Sequence, residues 1–377
     1  MGPQETIGIV GGGQLGRMLT LAALPLGFNV VVLNPSSGSP ASQVGAQEII
    51  GDLYDESALI KLADMADYLT VEIEHLDADI LDVLASQGKQ INPAPKTIRL
   101  IQDKFLQKEF LHKAGIPVAP FEDIDDKKSA QKALKYFRGK MLLKTKHGAY
   151  DGRGNMVINR ASDIEKAFDT FSNKQLYAEG YVPFTKELAV MVAKSSKGEV
   201  AIYPIVETIQ ERNICIEVQA PAQISDKQRK DAEKIAMKVA RLLDGAGTFG
   251  IEMFLTENGK VIVNEIAPRV HNSGHYTMEA SRTSQFEQHI RAIAGLPLGD
   301  TSMVVPAAVM INILGDREGP TKLQGLIDVL ANPHVSVHLY GKSPTKIDRK
   351  MGHITATGKT VNEARKRAKL ARQQLSI

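Results

Sequence analysis

The chain has 377 residues, 43% hydrophobic and 24% charged, which is ordinary globular composition at a length suited to two or three domains. A net charge of +3 is too small to argue for nucleic acid, and no apolar run is long enough to span a bilayer. One cysteine, Cys215, excludes a disulfide framework and a zinc–thiolate site.

Pro3, Gln4 and Glu5 precede a short strand and not a long apolar stretch, so the expectation is a soluble cytoplasmic protein without a leader. Strand and helix then alternate to about residue 100. Strands are expected over 7–10, 29–33, 48–50, 67–72 and 90–92, and helices over 15–24, 56–65 and 78–85. Such alternation implies a parallel sheet with helices on both faces. A helix over 103–114 ends at Gly115. A small α+β unit follows, with strands over 140–144, 156–158 and 176–179, a glycine-rich loop over 148–155, and a helix opened by a Ser162/Glu165 capping box. The rest begins with strands over 187–193 and 200–206. The pattern Asn213-Ile214-Cys215-Ile216-Glu217-Val218 is a further strand, in which a core thiol is the better reading than a nucleophile. Ser225 caps a long helix to 243. A hairpin, a helix over 281–294, strands over 304–313 and 335–339, and a basic amphipathic helix over 361–375 complete the chain.

The hairpin carries the sharpest signal. Asn258-Gly259 predicts a two-residue type I′ turn between strands 252–256 and 260–265. That turn pairs Thr256 with Val261, Phe254 with Val263, and Glu252 with Glu265. Alternation then sets both carboxylates on one face with Phe254, Thr256, Val261 and Val263. Like charges directly opposite are destabilising. Two readings fit: a hard divalent cation removes the conflict, or the pair simply faces water.

Gly11-Gly12-Gly13-Gln14-Leu15-Gly16 matches G-x-G-x-x-G between a strand and a helix, a site for an anion at a helix N-terminus. The second strand ends in Asn34-Pro35, without the acidic residue that a nicotinamide dinucleotide needs. A second glycine loop, Lys144-Thr145-Lys146-His147-Gly148-Ala149-Tyr150-Asp151-Gly152-Arg153-Gly154, is not a Walker A sequence. Its charge and glycines suit a lid over transferring phosphates. After Glu265 comes Ile266-Ala267-Pro268-Arg269-Val270-His271-Asn272-Ser273-Gly274-His275, where Arg269 offers a bidentate anion contact. Zinc on His271 and His275 would need a helix that Pro268, Ser273 and Gly274 disfavour.

Together these segments, with Arg349-Lys350-Met351-Gly352-His353, resemble the ATP-grasp superfamily. Within it they resemble the 5-(carboxyamino)imidazole ribonucleotide synthases over nearly the whole chain. The resemblance implies an α/β and α+β architecture: a Rossmann-like parallel-sheet domain at 1–102, a linker helix and ATP-grasp lid at 103–184, and a C-terminal ATP-grasp domain at 185–377. It implies ATP-dependent carboxylation of 5-aminoimidazole ribonucleotide with bicarbonate, in a cytoplasmic homodimer. It puts Mg²⁺, or Mn²⁺, on Glu252 and Glu265 with Asn264 beside them, although strict alternation turns Asn264 to the other face. Lys104, Lys144, Tyr150, Gly152, Gly154, Glu179, Val182, Glu187 and Gln210 would hold ATP. Asp151 and Arg153 would reach the aminoimidazole, with Asp151 as proton acceptor. Arg269, His271, Asn272 and Ser273 would form the bicarbonate site. Gln14, Leu15, Glu72, Lys342 and Arg349 would hold the ribonucleotide. The family often has Arg at Lys104 and His at Gln210. Rival readings are a ligase acting on glycinamide ribonucleotide, a dehydrogenase, and a nucleotide-binding regulator.

Overall fold

A computed structural model describes residues 5–148 and 154–377. Strands Thr6–Val10, Asn29–Asn34, Gln47–Ile50, Tyr68–Val71 and Gln90–Ile91 form the expected parallel sheet, in the spatial order third, second, first, fourth, fifth. Side chains alternate onto two faces. Val31, Leu33, Leu69 and Val71 pack with Leu59, Leu62, Leu81 and Leu84 from helices Glu56–Asp64 and Ala78–Ser86. Ile7, Ile9, Val30 and Val32 pack with helix Gln14–Ala23 and also with Phe286, Ile290 and Ile293 of helix Gln285–Ile293. The N-terminal sheet thus shares a core with a helix from the far side of the sequence.

A four-stranded antiparallel sheet comes next, built from Phe121–Ile124, Met141–Thr145, Asn155–Ile158 and Leu176–Gly180. Helices Lys127–Tyr136 and Ala161–Thr170 cover it. The second helix starts a residue before the expected Ser162/Glu165 box. Asp163 Oδ2 accepts the N–H groups of Asn159 and Arg160, so Asp163 closes the helix start.

The remaining strands join one nine-stranded sheet, with strand Val261–Ala267 at one edge and strand Val335–Leu339 at the other. The run expected as one strand over 200–206 is broken into Val200–Ile202 and Val206–Glu211. Pro204 lies in the break and lacks a ladder N–H. The helix expected over 281–294 is shorter, Gln285–Ile293, because Ser284 caps it by accepting the Glu287 N–H. Strand Lys350–Gly358 was not foreseen; it pairs with Val335–Leu339 and Ala307–Leu314.

The hairpin keeps the Glu252–Glu265 pairing by a route different from the expected one. Thr256 N–H bonds Lys260 O and Gly259 N–H bonds Thr256 O, which makes a three-residue loop. Only Gly259 among the loop residues has positive φ, at +77°. Leu255 therefore pairs with Val261 and Met253 with Val263, one step off the type I′ register. A bulge after Met253–Val263 inserts one extra residue and restores Glu252 opposite Glu265. Val261 and Val263 consequently face the core with Met253 and Leu255, not the carboxylates. Since Val263 and Ile266 both point into that core, Asn264 and Glu265 between them both lie off it. The bulge overturns the strict alternation that turned Asn264 away.

Candidate active site

Glu252 and Glu265 are neighbours across the edge hairpin. Burial, then the charges of Glu265 and Glu187, push the Glu252 carboxyl up to about 8. Glu265 moves the other way: burial opposes its ionisation, but Lys104 and Lys144 outweigh it, and Lys104 Nζ lies 3.3 Å from Glu265 Oε2. Two buried carboxyls set opposite one another favour a cation shared between them. The all-oxygen donor set fits Mg²⁺ or Mn²⁺.

The lysines come from elements that hold them rigidly. Asp103 caps helix Lys104–Lys113 by accepting the N–H groups of Phe105 and Leu106, each at 2.9 Å. Lys104 and Lys108 are one turn apart on one face. Lys108 and Lys144 clamp Glu179 at 3.0 and 3.2 Å. Burial raises the Glu179 carboxyl, but the two ammonium groups outweigh it and hold it below the usual range. Glu179 is thus tied into an ion triad, and Lys108, which the motif reading missed, is a member of it. The i, i+4 spacing from Lys104 was the available signal. Val182 is half-buried just beyond this strand. Glu187, raised by burial, takes a hydrogen bond from Gln210, two positions beyond its cross-strand partner Thr208. Gly154 O accepts the Thr145 N–H at 3.0 Å. Tyr150, Asp151, Gly152 and Arg153 lie outside the described residues.

Arg269 is bidentate on Glu74, at 2.7 and 3.1 Å. Burial opposes the Glu74 charge, yet the Arg269 guanidinium carries the carboxyl down to about 2. Glu74 was not foreseen, because an acid three residues past the strand end at Val71 has no motif of its own. His271 Nε2 lies 3.4 Å from Glu252 Oε1. Burial, then the Arg269 and Lys350 charges, hold His271 down to about 3, so the ring is neutral. Ser273 Oγ meets His271 Nδ1 at 2.9 Å and Met191 Sδ at 3.7 Å, so it orients the ring and is itself 1% exposed. Asn272 Nδ2 is buried and, among the described residues, has no partner stronger than the Cys215 sulfur, so it is a donor available to a ligand. His275 does not join His271 on a metal; its Nδ1 is 3.0 Å from Gln285 Nε2.

At the first glycine loop, the anion is the protein's own. Both oxygens of Glu72 accept backbone N–H groups, from Gly13 and Gly16. Burial raises the Glu72 carboxyl against those bonds and against the Lys342 and Arg269 charges. Gln14 opens the helix and is half-buried, while Leu15 is 6% exposed in the core and offers only backbone. Lys342 brings positive charge from the C-terminal region to Glu72 of the first sheet. Arg349 instead donates Nη1 to Pro344 O at 2.7 Å.

Three family models match parts of the chain. Residues 4–102 match the ribonucleotide synthetase preATP-grasp domain, 109–286 the ATP-grasp domain, and 308–367 the phosphoribosylaminoimidazole carboxylase C-terminal domain. The chain is 45% identical to phosphoribosylaminoimidazole carboxylase of Ogataea methanolica over 96% of its own length, spanning 68% of that longer protein. It superposes on N5-carboxyaminoimidazole ribonucleotide synthetase of Thermotoga maritima with TM-score 0.90 and 44% identity, covering 99% of both chains. It matches N5-carboxyaminoimidazole synthase of Aspergillus clavatus, solved with ADP and 5-aminoimidazole ribonucleotide, with TM-score 0.92 and 39% identity over 99% of both. By this extent of identity and fold, the chain belongs to the N5-carboxyaminoimidazole ribonucleotide synthase family of the ATP-grasp superfamily.

Proposed function

We propose that the chain carboxylates 5-aminoimidazole ribonucleotide with bicarbonate at the expense of ATP. The products are ADP, phosphate and N5-carboxyaminoimidazole ribonucleotide, an intermediate of purine biosynthesis. The observation that carries this reading is the opposed Glu252–Glu265 pair, ringed by Lys104, Lys144 and Arg269. Phosphoryl transfer is a problem of positioning and charge, and these groups supply both.

Bicarbonate is a poor electrophile, and phosphorylation to carboxyphosphate activates it. Mg²⁺ on Glu252 and Glu265, with Asn264 beside them, would neutralise charge on the transferring phosphate. Lys144 and Lys104 add fixed positive charge on the same side. Arg269, locked by Glu74, presents a preset guanidinium to a planar anion. His271 is neutral and donates or accepts without adding charge. Asn272 Nδ2 supplies a further donor. Glu187, with Gln210, serves the nucleotide ribose, and Glu179 holds Lys108 and Lys144 in place. By family resemblance Lys342 and Arg349 receive the ribonucleotide phosphate, and Gln14, Leu15 and Glu72 border the rest of that substrate. Asp151 accepts the amine proton by family resemblance, with Tyr150, Gly152 and Arg153 around it.

No helix among the described residues is long and apolar enough to cross a membrane. The same reading takes the enzyme as a cytoplasmic homodimer, which light scattering of the purified chain tests. The activity test is Mg²⁺-dependent ATP hydrolysis with and without aminoimidazole ribonucleotide and bicarbonate. Strong stimulation by that pair is expected. Equal stimulation by glycinamide ribonucleotide sinks the substrate assignment.

A further inference from the structure

Away from the Glu252–Glu265 pair, two strands bring imidazoles together. His338 on strand Val335–Leu339 and His353 on strand Lys350–Gly358 are direct cross-strand partners. Their rings stack at 4.6 Å between centroids with 21° between planes. Helix Thr277–Ala280 packs over them and supplies Glu279, whose Oε1 lies 2.5 Å from His338 Nε2. One ligand atom from each of Glu279, His338 and His353 lies within 4.8 Å of the others.

Two of the polar atoms in this cluster lack hydrogen-bond partners among the described residues. His353 is fully buried and its Nε2 has none; Glu279 Oε2 is buried and has none. The other nitrogen of His353 is engaged: Nδ1 lies 2.9 Å from Tyr340 Oη. With Nδ1–H donating to that hydroxyl, Nε2 presents a lone pair. That is the arrangement in which metal-binding histidines are held by an outer partner. His338 also borders a cavity of about 320 Å³, lined by Arg17, Met18, Leu21, Leu330 and Tyr340.

We propose that Glu279, His338 and His353 form a second divalent-cation site, separate from the catalytic pair and selective for zinc-class ions over Mg²⁺. Two imidazoles and one carboxylate are a borderline donor set that Mg²⁺ does not favour, whereas Zn²⁺ takes nitrogen and oxygen ligands readily. The all-carboxylate pair at Glu252 and Glu265 has the opposite preference. Binding turns the His338 ring off its stack on His353, replaces the His338–Glu279 hydrogen bond and gives both orphaned atoms a partner.

The test uses the full chain, stripped with a chelator and equilibrated with Zn²⁺ under excess Mg²⁺. Bound zinc is measured by equilibrium dialysis and atomic emission. One zinc per chain is expected, with affinity at least tenfold weaker in Glu279→Gln and in His338→Gln and unchanged in Glu265→Gln. Cobalt substitution should give a visible absorption band that the first two variants lack. His338 is partly exposed on an edge strand, so its variant should fold, which far-ultraviolet circular dichroism checks; if it does not, Glu279→Gln decides. No zinc uptake, uptake indifferent to both substitutions, or uptake lost in Glu265→Gln overturns the assignment.

Discussion

At the residue scale, the site is a set of charges held in place by opposite charges. Glu74 has no role in the chemistry as read above, yet it fixes Arg269. Its carboxyl is held at about 2 against an ordinary value of 4.5, with burial working against the shift and Arg269 producing it. A depressed carboxyl stabilises the fold above its unfolded value and loses that contribution as pH falls. The Glu74 contribution should therefore be complete above about pH 4.5 and disappear towards pH 2. Both side chains are under one-fifth exposed, so removing one leaves a buried charge unpaired. Glu74→Gln should lower stability at neutral pH by about 3 kcal/mol, measured by urea denaturation, with the gap closing in acid. A gap that is constant down to pH 2.5 would refute the pairing argument. Glu265→Gln should behave differently. Removing its charge lets the Glu252 carboxyl ionise beside Lys104, which offsets the lost Lys104–Glu265 pair and leaves the melting temperature near that of the parent. ATP turnover should fall roughly 100- to 1,000-fold, the scale of losing one group that stabilises transition-state charge. An active variant, or one that melts far earlier, counts against the metal reading.

At the scale of elements, the glycine loop explains itself through Glu72. A Cβ on Gly13 would lie 2.5 Å from Glu72 Oε1, although the backbone there, at φ −75°, tolerates any residue. The glycine is required by the close approach of a carboxylate to a helix N-terminus, not by φ. Gly13→Ala should cost about 2 kcal/mol by overpacking, and Glu72→Ala about 1 kcal/mol through the lost helix-end anion. The double variant should cost less than the sum by roughly 1 kcal/mol, since the clash partner is gone. Strict additivity in denaturant titrations would show that the added methyl group is accommodated without moving Glu72. The motif was legible in the sequence as an anion site; that the anion is internal was not, because Glu72 arrives from another strand. The hairpin teaches the same lesson. Glu252 opposite Glu265 could be read from turn chemistry and period, but two deviations compensate on the way. A bulge is a local choice of backbone geometry that alternation does not encode, and it alone brings Asn264 to the carboxylate face. Likewise Lys350–Gly358 escaped notice because Gly352 and His353 interrupt its apolar pattern.

At the scale of the whole molecule, the parallel sheet and the body are joined by polar contacts of long sequence separation. Thr97 Oγ1 bonds Asp244 O at 2.8 Å, and Ala246 N–H bonds Asn92 Oδ1 at 2.8 Å. The most buried contact of this kind is His289, on the helix that both cores share. Its Nδ1 accepts the Thr248 N–H at 3.0 Å, which leaves Nε2–H to donate to Thr70 Oγ1 at 2.8 Å. Only the neutral ring with that tautomer satisfies both partners, since a protonated Nδ1 would meet an N–H. Burial accordingly holds the group down to about 4 from 6.5. The unfolded chain then binds more protons than the folded one between these values. Stability contributed by His289 is complete above pH 6.5 and falls as pH drops towards 4, by ~1.4 kcal/mol per unit and ~3 kcal/mol in all. His289→Asn keeps an acceptor near Nδ1 and loses the Thr70 contact. It should be less stable than the parent at pH 7.5 yet lose less between pH 6.5 and 4.5. Because every other titrating group is common to both proteins, the difference between their denaturation curves isolates this ring. Parallel pH profiles would mean that the ring titrates freely and that the junction between the sheet and the body opens before the protein unfolds.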